Sequence, residues 1–253
     1  MLRTFAGGRL FGTRSGEGGP RILALHGWGR THRDFDAVLR PVDAPELAAV
    51  AVDLPGFGAT PPPTEPWGSE EYARCVAAVL EELTGPTVLL AHSFGGRVAV
   101  HLASSHPDAV RALVLTGVPL LRLTPAPRPA FAYRVLRSLH GAGFVGEERM
   151  ERARRRYGSA DYAAATGVMR QVHGRVVAES YEAQLDAIRC PVTLVWGEDD
   201  ATVPLGVAEA ALARLRDAGS GEAADLVVLP GAGHLVPLSA PGSLRAALEP
   251  LIR

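Results

Sequence analysis

The sequence predicts an α/β fold: a mostly parallel central sheet flanked by helices, interrupted by a helical insertion. Three observations carry that expectation. Short apolar runs recur at Ile22 to Leu25, Ala48 to Val52, Val88 to Ala91, Ala112 to Leu115, Val192 to Trp196 and Leu226 to Leu229. They are unbroken rather than alternating, as parallel strands buried on both faces are. Helical patterns separate most of them, and strands alternating with helices define this fold class. From Pro119 to Arg189 the alternation stops, and helical patterns follow one another with no strand between them.

Taken in order, the first run is followed by a helical pattern from His32 to Leu39 with Thr31 as its N-cap. The next helix, Glu70 to Leu83, follows Ser69 as a cap, and Glu70 and Glu71 sit where the helix dipole favours negative charge. Phe94 to Ser105 ends before His106-Pro107, and Val207 to Ala218 and Ser243 to Ile252 complete the set. Within the insertion, helices are expected at Ala130 to Leu139, Glu147 to Tyr157, Ala160 to Val172 and Arg175 to Ile188. Pro125, Pro127 and Pro129 mark its entrance and Cys190-Pro191 its exit, so residues 1–118 and 190–253 form the core and 119–189 a cap, or lid. Glu148–Arg152 and Glu151–Arg155 are i,i+4 pairs that support helix. Arg152, Arg154, Arg155 and Arg156 read best as a solvated helix face, with contact to an acidic substrate or carrier as the rival reading.

Composition narrows the partners. The 253 residues are 47% hydrophobic and 21% charged, the make-up of a globular protein with a full core. A formal net charge of −1 gives no long-range pull toward nucleic acid or an anionic membrane. All fixed positive charge is arginine, since the chain contains no lysine. Cys75 and Cys190 match no metal or redox spacing and are expected as two reduced thiols. The first residues lack the apolar stretch of a signal peptide, and no run reaches the ~18 apolar residues of a membrane-spanning helix. A cytoplasmic location is the expectation.

The stretch with most chemical content is Val88-Leu89-Leu90-Ala91-His92-Ser93-Phe94-Gly95-Gly96. A strand ends at a serine, small residues flank it, and a helix begins. A serine at the apex of such a turn projects its Oγ clear of the sheet, though it serves equally as a plain helix cap. A nucleophile also needs a base and a group to orient that base. After Val192 to Trp196 comes Gly197-Glu198-Asp199-Asp200, and after Leu226 to Leu229 comes Pro230-Gly231-Ala232-Gly233-His234. Carboxylate and imidazole leave the same sheet edge as Ser93, in the order serine, acid, histidine. Acyl chemistry further needs donors for an oxyanion. The first strong strand ends in His26-Gly27-Trp28-Gly29, whose Trp28 amide is one candidate, and the amide of Phe94 is the second. The Trp28 indole either lines an acyl pocket or simply packs.

Those motifs, with Asp53-Leu54-Pro55-Gly56-Phe57-Gly58, resemble the α/β-hydrolase superfamily over essentially the whole chain. Within it the chain looks most similar to small carboxylesterases of the pimeloyl carrier-protein methyl esterase type. The resemblance implies an α/β-hydrolase fold with a helical cap, and a triad falling on Ser93, Asp200 and His234. Asp200 is preferred to Asp199 because the family's acid sits three residues after the glycine and four before Pro204. Ala91 departs from the usual glycine but is still small. The implied activity is hydrolysis of a carboxylic ester through an acyl-enzyme, on a small acyl substrate that is free or carrier-bound, with no metal or cofactor. Thioester, lactone, amide or carbon–carbon hydrolysis uses the same machinery, and a non-catalytic ligand-binding member of the fold is the rival from another class. Candidate pocket residues are Trp28, whose plainer role is packing, and Phe131, Tyr133, Phe144, Tyr157, Tyr162 and Met169, each of which has cap packing as its plainer role.

Overall fold

The computed structural model describes residues 1–123, 131–157, 159–220 and 223–252. Among them, eight strands form one sheet: β1 (Arg3–Phe5), β2 (Leu10–Ser15), β3 (Ile22–Leu25), β4 (Ala49–Asp53), β5 (Thr87–His92), β6 (Val110–Thr116), β7 (Val192–Gly197) and β8 (Ala224–Leu229). Their order across the sheet is β1-β2-β4-β3-β5-β6-β7-β8. β1 pairs antiparallel with β2 and β2 with β4, and every other pairing is parallel. All six expected strands are present. The β1–β2 ribbon was not expected, because Gly12, Thr13 and Arg14 interrupt the apolar character of β2.

Successive residues of the central strands feed opposite faces of the sheet. Leu23, Leu25, Leu89, Ala91, Leu113 and Leu115 pack with Tyr72, Val76, Val98 and Leu102. Those partners lie on α2 (Ser69–Glu82) and α3 (Phe94–Ser105). On the other face, Ile22, Ala24, Val88, Leu90, Ala112 and Val114 meet Phe35, Val38, Leu244 and Leu248. These come from a short turn at His32–Phe35, α1 (Asp36–Leu39) and, late in the chain, Pro241–Leu248. Burial on both faces is what the unbroken apolar runs encode, and β3 to β7 have it; the run Leu226 to Leu229 does not, because β8 is the sheet's edge strand and leaves Val227 and Val228 exposed.

Between β6 and β7 the described chain is helical: α4 (Phe131–Gly141), α5 (Glu147–Tyr157), α6 (Ala160–Ala164), α7 (Gly167–Val176) and α8 (Glu182–Ala187). Pro125, Pro127, Pro129 and Ala130 lie outside the described residues, as does the Tyr157 side chain. Two expected helices are each broken in two. Ala165 and Thr166 leave helical geometry between α6 and α7. The break between α7 and α8 has a clear cause in the residues between them. Glu179 accepts the Ser69 N–H, and the buried Tyr181 hydroxyl meets Ser69 Oγ at 2.9 Å, Glu179 Oε2 at 2.7 Å and Arg97 Nη1 at 3.2 Å. Arg97 Nη1 also donates to the Val176 carbonyl at 2.6 Å. This latch ties the helical segment to α2 and α3, and it takes Ser69 away from the capping role expected of it. The N-cap is Gly68, whose N–H donates to Glu71 Oε2 at 2.8 Å.

After β7 come α9 (Leu205–Leu215), then β8, α10 (Val236–Ser239) and α11 (Pro241–Leu248). On α5, Arg155 reaches Glu151 at 3.5 Å, and Arg154 pairs with Glu147 and Glu151, so part of the arginine row is neutralised within its own helix. Cys75 and Cys190 are free thiols, the former buried.

Candidate active site

Ser93 joins β5 to α3 with φ 48° and ψ −111°. A non-glycine residue held there costs about 1–3 kcal/mol and persists only when its surroundings dictate it. They do so here. Ser93 N–H donates to the Thr116 carbonyl at 2.9 Å, and its own carbonyl accepts Gly96 N–H at 3.0 Å. At Gly95 any methyl group would overlap the Leu25 carbonyl, so glycine lets α3 start hard against the end of β3. Ala91, fully buried, fits the place where a glycine is usual.

His234 follows β8 and reaches back over this turn. Its Nε2 lies 3.2 Å from Ser93 Oγ and its Nδ1 2.8 Å from Asp200 Oδ2. A carboxylate oxygen accepts, so Nδ1 carries the proton and Nε2 presents a lone pair to the serine hydroxyl. Asp200 Oδ1 takes the N–H groups of Thr202 and Val203, both at 2.8 Å. Burial alone pushes the Asp200 carboxyl up, but the His234 imidazole and those two amides outweigh it and hold the group below the usual carboxylate range. Glu198 and Asp199 are exposed and contribute only their backbone N–H groups, to Leu229 and Ala232. Trp196 Nε1 donates to the Val203 carbonyl at 2.9 Å and pins the loop that carries Asp200.

On the opposite side of Ser93 lies the loop after β3. Leu54 N–H donates to His26 Nε2 at 2.9 Å, which makes Nδ1 the protonated nitrogen, and Nδ1 donates to the Gly27 carbonyl at 2.7 Å. Arg30 N–H donates to the same carbonyl at 3.2 Å. Carbonyl and amide point opposite ways across a trans peptide, so this clamp turns the Trp28 N–H to the other side of the chain. No acceptor among the described residues takes the amides of Trp28 or Phe94. Asp53, buried at the end of β4, ties the same region together: it accepts His32 N–H and His32 Nδ1, each at 2.8 Å, and Ala59 N–H at 2.9 Å.

The candidate pocket residues separate into two groups. Trp28 packs edge-to-face on Phe57 at 5.0 Å, Phe94 at 5.4 Å and His173 of α7 at 4.9 Å. Met169 joins from the same helix, its sulfur 3.8 Å from the Tyr72 hydroxyl, and Tyr162 borders His173 at 6.0 Å. Phe131 and Phe144, at 77% and 81% exposure, stand apart from this cluster, and Tyr133 is half-buried on α4, a helix with no buried residue.

Sequence reasoning missed Gly117, which has φ +60°. A methyl there would lie 2.9 Å from the His234 ring and 3.4 Å from Asp200 Oδ2. The signal was available, as a glycine two residues after the fourth apolar run. It missed equally the roles of His26, Asp53 and His173. Among the described residues no group of three or more His, Cys, Asp and Glu side chains is placed to hold a metal ion, and no helix is long and apolar enough to cross a membrane.

Similar proteins place the chain as a whole. A family model described as the alpha/beta hydrolase family matches residues 22–247. A pimeloyl-acyl-carrier-protein methyl ester esterase from Aromatoleum aromaticum is 32% identical over 263 residues, spanning 92% of this chain and 98% of that one. Lipase LipV from Mycobacterium tuberculosis is 40% identical over 104 residues, 40% of this chain and 39% of that one. A thermophilic esterase from Thermogutta terrifontis superposes over 100% of both chains with a TM-score of 0.69 at 22% identity. A match from the first buried strand to the last helix, joined by a full-length relative, establishes that this chain belongs to the alpha/beta hydrolase family.

Proposed function

We propose that the chain is a serine hydrolase that cleaves a carboxylic ester through an acyl-enzyme intermediate. The observation that carries the reading is the linked Ser93–His234–Asp200 geometry, 3.2 Å and 2.8 Å, built on a strained turn that points Oγ out of the sheet. His234 Nε2 takes the Ser93 proton as Oγ attacks the acyl carbonyl, while Asp200 keeps the imidazole in the required tautomer and stabilises the imidazolium. The Trp28 and Phe94 amides receive the oxyanion, and each such donor is worth about 10²–10³ in rate. The imidazolium returns its proton to the leaving alkoxide. A water molecule, deprotonated by the same nitrogen, then releases the acid and restores Ser93.

The acyl chain lies against Trp28, Phe57 and Met169, with the helical segment 119–189 acting as the cap that selects it. The relative at 32% identity is named for a methyl ester on a carrier-bound acyl group, which favours a carrier-linked acyl ester of a small alcohol as the first substrate to assay. The exposed Arg152 gives an acidic carrier a place to touch the cap.

The test is Ser93→Ala against a short acyl ester, with a fluorophosphonate probe in parallel. Activity should vanish into background and the probe should label wild type alone. Wild-type turnover in the pure Ser93→Ala variant would end the proposal. Failure of wild type to label while folded would favour a binding role. Asp200→Asn should lose roughly 10⁴-fold in kcat, because the wrong imidazole tautomer faces the serine.

A further inference from the structure

We infer that His92 is a positioning residue for the proposed base: its Nε2–H holds the backbone carbonyl of His234 and so fixes the height of that imidazole over Ser93. His92 ends β5, one residue before the serine, and is 1% exposed. Its Nε2 lies 3.0 Å from the His234 carbonyl oxygen. A carbonyl only accepts, so Nε2 carries the proton and Nδ1 is bare.

That bare nitrogen is the second observation. Nδ1 is buried without a hydrogen-bond partner among the described residues. It faces Gly27 so closely that a methyl there would come within 2.7 Å of it. An apolar side chain would fill this space without leaving a buried acceptor unpaired, so packing alone does not account for a histidine. The third observation is the contact between rings: His92 and His234 stand 4.8 Å apart at 52°. One side chain on the nucleophile strand therefore touches the base loop on one side and the Trp28 amide loop on the other.

The base needs such an anchor. His234 leaves β8 through Gly231, Ala232 and Gly233, a run with little side-chain packing of its own. The Asp200 bond sets the rotation of the imidazole, and the Asp199 N–H on the Ala232 carbonyl, with Gly197 packed against the carbonyls of Ala232 and Gly233, holds the loop just upstream. The His92 bond carries that restraint to the main chain of residue 234 itself. Burial, then the charge of the neighbouring His234 imidazole, holds the His92 imidazole down to about 4, against the opposing pull of its bond to the His234 carbonyl and of Asp34 and Asp200. The neutral Nε2–H form therefore persists through the neutral pH range.

This inference rests on the ester-hydrolase reading, and its experiment separates the two. Glutamine at 92 carries its amide nitrogen to the depth of Nε2, whereas asparagine stops at the depth of Nδ1 and leaves the carbonyl bare. On a short acyl ester, His92→Gln should keep kcat within roughly fivefold of wild type. His92→Asn should lose roughly 10- to 100-fold, with KM of both within about twofold, since a displacement of ~1 Å at a reacting group costs on the order of 10² in rate. If His92→Asn melts below the assay temperature, His92→Leu takes its place in the comparison. Equal kcat in the variant that restores the donor and the variant that lacks it overturns the inference. With Ser93→Ala run alongside, an inactive Ser93→Ala with equal His92 variants refutes the positioning role alone. A fully active Ser93→Ala removes the hydrolase reading and the inference together.

Discussion

Ser93, His234 and Asp200 do their proposed work only because several residues that touch no substrate hold them in place. Gly117 is the sharpest case. Its backbone is left-handed, and the His234 ring packs where its side chain would be. Gly117→Ala therefore strains the main chain and pushes the base at once. It should lower kcat on a short ester by about 10²-fold, the cost of a displacement near 1 Å, while destabilising the fold by about 1–2 kcal/mol. Steady-state kinetics and urea unfolding on the same preparation check both effects, and unchanged kcat would refute the contact. His26 acts differently, through a tautomer. Its bonds to Leu54 and Gly27 fix which nitrogen carries the proton, and thereby which way the Trp28 amide faces. Such dependence on a single proton cannot be read from residue order, whereas serine, acid and histidine at the ends of three apolar runs can.

At the scale of elements, the helical segment is joined to the sheet by the latch around Tyr181. Replacing Tyr181 with phenylalanine keeps the ring but removes the hydroxyl that serves Ser69, Glu179 and Arg97. The buried Ser69 hydroxyl loses its partner, while Glu179 keeps the Ser69 N–H and Arg97 keeps the Val176 carbonyl, and the loss should cost about 1–3 kcal/mol. Urea midpoints should fall accordingly, and limited proteolysis should cut between α7 and α8 sooner than in wild type. Unchanged midpoint and cleavage would show that the latch carries no load. The same latch explains an error of helix reading. The sequence from Arg175 to Ile188 has a helical pattern, yet Glu179 and Tyr181 gain more from contacts with α2 and α3 than from continuing α7. Local propensity gave way to tertiary bonds. The β1–β2 ribbon was hidden for a related reason: Gly12 weakens the strand signal, but its bare Cα lets β2 lie against the Ala51 carbonyl.

For the molecule as a whole, the buried histidines govern acid stability. His26 and His92 are both held down to about 4, mainly by burial, from an ordinary value of 6.5. Between those two values the unfolded chain binds protons that the folded chain refuses, so stability falls as pH falls through that window. Each histidine withdraws on the order of 3 kcal/mol by the lower end of the window, at about 1.4 kcal/mol for every pH unit crossed. His101 and His173, also lowered by burial, act in the same direction. Asp53 and Asp200 are raised by burial but lowered further by their hydrogen bonds, so their contribution is lost only below the ordinary carboxyl value of 3.8. Thermal unfolding should therefore show a melting temperature that declines from pH 6.5 toward pH 4, with a shallower decline in His92→Gln. A flat profile across that range would contradict it. None of this was legible in composition, since eight histidines in a chain say nothing of which are sealed from water. What was legible was the sheet: unbroken apolar runs separated by helices imply parallel strands, and parallel strands put the loops of the site along one edge, although the run of β8 lies at the sheet's margin with Val227 and Val228 exposed.

The left-handed turn at Ser93 has a consequence for inheritance. Glycine at that position would relax the backbone, so folding by itself favours losing the hydroxyl. Lineages kept only for their shape should drift to glycine there within the same sheet. On the proposed reading, a serine that persists at position 93 records selection for turnover, imposed against the grain of the fold.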